Sequence, residues 1–144
     1  MTSAATLAAD RPNIGRSIWA VVAGILVIIV LSLGLDEILH LAHVYPPWNE
    51  PMWDPKLNAL ALGYRLLFDT FGSYVTAKLA PRRALRHALI GGFIGLVLSM
   101  GGVYASTQQH MGPLWYPIFL AISSPITAWI GGTLFVRNSA GART

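Results

Sequence analysis

The run Ile18-Trp-Ala-Val-Val-Ala-Gly-Ile-Leu-Val-Ile-Ile-Val-Leu31 contains no charged side chain. A helix starting near Ser17 and continuing toward Tyr45 would cross ~30 Å of hydrocarbon at about 1.5 Å per residue. Pro46-Pro47 stops it there, because proline lacks the N–H that would continue the ladder. The apolar stretch outlasts the ~7–15 residues of a signal-peptide core, and no small-x-small cleavage pattern follows it. It is expected to be a retained membrane span.

Three further segments repeat the pattern. The sequence predicts helices over about 17–45, 56–80, 85–106 and 114–136, within a membrane domain of residues 16–137. Residues 1–15 form a polar, disordered cytoplasmic tail and residues 138–144 a second short tail. The expected fold is an all-α four-transmembrane-helix bundle, up-down-up-down. Short connections make sequential helices antiparallel neighbours. The 46–55 loop carries four prolines, which exclude a helix. Its Trp48 and Trp53 suit the headgroup layer, as do Trp19, Trp115 and Tyr116.

Composition agrees. Of 144 residues, 54% are hydrophobic and 11% charged, against roughly 25% charged in a soluble domain. There is no cysteine, which excludes disulfides, thiolate metal sites and cysteine nucleophiles. The net charge of +4 comes from residues at segment ends, as membrane topology requires, and implies no nucleic-acid partner. Arg11, Arg16, Lys78, Arg82, Arg83, Arg86, Arg137 and Arg143 fall on one side, and Lys56 alone on the other. Positive residues stay inside, so both termini are expected in the cytoplasm of a bacterial inner-membrane protein.

Helices in lipid gain no net hydrophobic drive from one another and associate through close packing of small residues. Gly91, Gly95 and Ser99 recur at helical spacing in the third segment, and Ser124, Ala128 and Gly132 in the fourth. These stripes are expected to pack helices, within one bundle or between copies in a homo-oligomer or larger membrane complex. Pro117 and Pro125 are expected to bend the fourth segment, with Ser123, Ser124 and Thr127 helping to satisfy freed backbone groups.

Two polar clusters stand out, because ionisable residues in a span usually face the bundle interior or water. In Asp36-Glu37-Ile-Leu-His40-Leu-Ala-His43, the side chains of Asp36, His40 and His43 share a helical face. Asp36 lies roughly 28 Å along the helix from Ser17, near the outer interface. Three readings stay open: wet headgroup-level residues, a proton or ion relay, or a divalent metal held by Asp36, His40 and His43. The second cluster is Arg65 and Asp69, on a stripe with Asn58, Gly72 and Thr76. Arg65 either pairs with Asp69 or snorkels outward to Asp36 or Glu37, which would join the clusters into one outward-facing pocket. A proton or substrate path through Asp69 is the functional alternative.

No phosphate-binding glycine loop, nucleophile elbow or nucleic-acid face is present. The expectation is a non-enzymatic integral membrane protein without cofactor, acting as an accessory or oligomeric module. The alternatives are a small proton-coupled carrier using Asp36, Glu37, His40, His43, Arg65 and Asp69, and a membrane metal-binding protein or metalloenzyme.

Val44-Tyr-Pro-Pro-Trp48, Tyr64-Arg65, Gly72-Ser-Tyr74, Ala77-Lys-Leu-Ala-Pro-Arg-Arg83, His87-Ala88 and Leu114-Trp-Tyr-Pro117 resemble the motifs of a widespread group of small bacterial four-helix inner-membrane proteins. The resemblance covers roughly residues 15–137. It implies the topology and a bacterial origin, and it carries over no catalytic residue, because the group has no assigned activity.

Overall fold

The computed structural model describes residues 13–142. Among them the chain forms four helices and no strand: α1 (Ile14–Leu41), α2 (Pro55–Leu79), α3 (Ala84–Gln109) and α4 (Trp115–Gly141). Local chemistry explains each boundary. The Asn13 side chain accepts from the Arg16 N–H at 3.3 Å and opens α1. Asp54 accepts from the Lys56 N–H at 2.8 Å, with Pro55 in the first turn, and opens α2. Ala80 turns extended ahead of Pro81 and closes α2.

Some boundaries differ from those the sequence suggests. Helix α1 ends at Leu41 instead of near Tyr45, because His43 takes a left-handed conformation (φ 56°) before the prolines are reached. Helix α3 runs on to Gln109, and His110 (φ 49°) ends it. Helix α4 continues through Gly141 into the expected tail. Asn13 caps the helix, residues 14 and 15 are helical, and residues 1–12 of the expected N-terminal tail lie outside the described residues.

The helices alternate in direction, and α2 sits at the centre. It packs on α1, α3 and α4, whereas α1 and α4 do not meet among the described residues. The loops at one end are tied by the Met52 N–H donating to the Met111 carbonyl at 2.9 Å. Contacts are close enough to demand glycine. A Cβ on Gly24 of α1 would strike Thr76 and lie 2.7 Å from the Gly72 carbonyl oxygen of α2. A Cβ on Gly131 of α4 would meet Thr70 and the Tyr74 backbone nitrogen.

The distribution of side chains is the reverse of a water-soluble protein. The buried apolar residues are mostly alanines: Ala20, Ala61, Ala77, Ala88, Ala121 and Ala128. Ser32, Asp36, Asn58, Ser73, Thr76, Ser124 and Thr127 are buried beside them. Large apolar side chains such as Val30, Leu67, Phe93, Val97 and Ile122 point outward. In water such a surface would be a severe liability, and in lipid it carries no penalty. By length and composition α1, α3 and α4 can each cross a membrane. The chain is a helical membrane protein on this evidence of its surface and helix lengths.

The small-residue stripes pack largely within the bundle. Ser124 donates to the Gly92 carbonyl at 3.0 Å, Ala128 is fully buried, and a Cβ on Gly132 would meet Ala88 and Leu85. In α3, however, Gly92 and Ala88 are the buried residues. Gly91 and Ser99 line a cavity instead, and Gly95 does so while also facing Ser124.

Candidate functional site

Asp36 enters the bundle from α1 and is only 4% exposed. Both carboxylate oxygens are engaged by α2. Tyr64 donates its hydroxyl to one, and the Arg65 guanidinium forms an ion pair with the other. The alternative in which Arg65 reaches outward to Asp36 is therefore the one adopted, and Arg65 does not pair with Asp69. The reason is geometric. Asp36 is buried on α1 where it packs on α2, so the long Arg65 side chain meets the carboxylate of the neighbouring helix instead of folding back along its own.

A second layer of aromatic groups covers this pair toward the loops. Tyr45, in the loop after α1, donates to the Tyr64 hydroxyl at 3.2 Å. It is buried with Ala61 and Tyr64, and this burial raises its pKa above the ordinary tyrosine value. Asn58, in the first turns of α2, donates to the carbonyls of Met52 (2.9 Å) and Asp54 (2.8 Å) and fixes the loop over the site.

The histidines do not join a metal set. His40 Nδ1 donates to the Asp36 backbone carbonyl at 2.7 Å. Its ring stacks on Trp48, with centroids 3.9 Å apart and planes 6° from parallel. Trp48 in turn donates to Glu37 at 3.2 Å. His43 sits past the helix end, exposed. Of the three readings open for the Asp36 cluster, the metal one finds no geometry here: Asp36, His40 and His43 are not brought together. Among the described residues no three acidic or histidine side chains gather around a common point. Glu37 and His43 are exposed, whereas Asp36 is buried.

Two cavities meet at Arg65. The outer one, of about 440 Å³, lies under the loops and is lined by Asp36, His40, Tyr45, Asn58 and Tyr116. The inner one, of about 390 Å³, lies between all four helices and contains Asp69. Arg65 belongs to the wall of both. Among the described residues its Nε is buried without a hydrogen-bond partner. Asp69 has no hydrogen bond or ion pair among the described residues, although it is partly buried. The rest of the inner cavity's wall is aliphatic side chains and glycines, interspersed with the hydroxyl residues Ser32, Ser73, Thr76, Ser99, Ser124 and Thr127. Such a space suits reversible binding of a small molecule near a single carboxylate.

Tyr64 and Tyr45 belong to the candidate site although neither lies in the two polar clusters of the sequence. The stripe through Asn58, Arg65, Asp69 and Thr76 passes one residue away from Tyr64, and Tyr45 falls in the loop. No family model, curated protein or solved structure matches the chain.

Proposed function

We propose that the chain is a four-span, non-enzymatic protein of a bacterial inner membrane, with both termini inside, that carries a small solute in exchange for protons. The outward side would be the one bearing the α1–α2 and α3–α4 loops. The arginine-rich distribution supports this orientation, and the motif resemblance supports the bacterial origin. Helix α2 is the fourth span. Its mean hydropathy is lowered by Asn58, Arg65, Asp69 and Thr76, which line cavities or lie buried. Its outward face carries Leu60, Leu67 and Phe71, as a lipid contact requires.

The observation that carries the proposal is Asp69: a lone carboxylate in a mid-bundle cavity, separated from an outer cavity by Arg65. A carboxylate in that setting can exchange a proton for a solute, and Arg65 stands where the two cavities would join. The test uses proteoliposomes with a pH-sensitive dye inside and a panel of small amines, carboxylates and sugars outside. Solute-driven proton movement for at least one class, abolished in Asp69→Asn, is expected. Identical traces for protein-containing and empty vesicles across the panel would refute the carrier.

The second reading, an accessory or oligomeric module, is favoured by α3. That helix buries only Ala88 and Gly92 among the described residues, and Gly101 and Gly102 face open space.

A further inference from the structure

The inner cavity has a mouth. Helices α1 and α3 are the most loosely packed of the contacting pairs. The cavity reaches the surface between them, where its rim is formed by Ile29 and Leu33 of α1 and Leu98 of α3, all exposed on the lipid-facing side. Gly91 and Gly95 keep the α3 wall low. A ligand using this mouth arrives from the bilayer, so it must be lipid-soluble. It meets apolar walls first and Asp69 at depth.

Charge decides what its polar part must be. Asp36 and Arg65 form an ion pair and cancel. Among the described residues, no cation forms an ion pair with Asp69. A monocation brought into the cavity compensates it, whereas an anion would add a second negative charge in a low-dielectric space. Arg65 does not reverse this sign, because its charge is already matched by Asp36.

We infer that the inner cavity is a binding site for lipophilic monocations, entered sideways from the membrane between α1 and α3, with Asp69 as the counter-ion. This rests on the carrier reading and names the class of its solute. The site explains why a carboxylate is kept at depth without a partner. It also explains why Gly91 and Ser99 of α3, expected to pack helices, border the cavity instead.

The experiment is equilibrium binding in lipid nanodiscs, with radiolabelled tetraphenylphosphonium as the lipophilic cation and tetraphenylborate as its isosteric anion. Two variants accompany the full chain. Asp69→Asn removes the charge and keeps the shape. Gly91→Leu fills the cavity from its wall, where an added Cβ meets only Val21, at 3.9 Å. Saturable cation binding, weakened at least about tenfold by either variant, with no saturable anion binding, is expected. A control of circular dichroism and thermal unfolding establishes that both variants are folded. Equal binding of the two ions, or cation binding unchanged in folded Asp69→Asn, would overturn the inference. No saturable cation binding, combined with Asp69-dependent proton exchange for a sugar or carboxylate, would overturn it while leaving the carrier intact.

Discussion

Arg65 of α2 pairs with Asp36 of α1, on a different helix, and Asp69, one turn along its own helix, makes no hydrogen bond or ion pair among the described residues. The choice has two consequences. It fastens the two helices together at the depth of Tyr64, and it leaves a spare carboxylate inside the bundle.

The fastening is testable by removing one side of it. A buried ion pair that loses one partner costs about 3–5 kcal/mol, because the remaining charge stays desolvated. Asp36→Ala should lower stability by that order in unfolding titrations in mixed micelles. Asp36→Ala combined with Arg65→Leu should recover most of the loss, because no unpaired charge remains. A double variant as unstable as the single one would show that Asp36 acts through something other than the pair.

Close helix approach gives a second test. Gly24 and Gly72 face each other across α1 and α2, and each leaves no room for a Cβ. Gly24→Leu should separate the helices and cost several kcal/mol, on the order of the overpacking penalties seen in tight cores. Gly34→Leu, on the same helix with nothing within 4 Å, should be tolerated. The comparison reads packing directly, since both changes add the same side chain.

Tyr45 supplies a pH dependence. Burial is the main cause of its raised pKa, and the hydrogen bond with Tyr64 works in the opposite direction. A phenol that ionises less readily when folded favours the folded state fully below the ordinary value near 10. That advantage falls away as pH rises from there through the folded value. Alkaline unfolding should therefore set in above about pH 10, and Tyr45→Phe should flatten it. An identical alkaline profile for the variant would remove Tyr45 from the explanation.

The helices were legible in the sequence because apolar runs are bounded by charges or prolines, Asp36-Glu37 and Pro81 with the arginines after it, although the end of α1 at Leu41, ahead of Pro46-Pro47, was not. The pairing of Arg65 with Asp36 was legible as one of two options, because depth along each helix follows from residue number. Its selection depended on the relative height and rotation of α1 and α2, which no single-helix pattern encodes. The α3 stripe illustrates the same limit. With Gly91 and Gly92 adjacent, small residues fall on two faces 100° apart, and periodicity cannot say which one packs. The face through Ala88 and Gly92 packs on α4, and the one through Gly91, Gly95 and Ser99 borders the cavity. Tyr64 was hidden for a different reason. Its ring fits an apolar span, and only the arrival of Asp36 from another helix turns its hydroxyl into a site residue.

The most direct test concerns α2, whose polar stripe sets it apart from α1, α3 and α4. The chain has no cysteine, so single-cysteine variants label cleanly. Glu50→Cys sits in the loop before α2, and Arg86→Cys lies just after it, both exposed. In intact cells a membrane-impermeant maleimide should label Glu50→Cys and should reach Arg86→Cys only after the membrane is opened. Labelling of both positions from the same side would mean that α2 does not cross, and the cavity that holds Asp69 would not lie within a membrane.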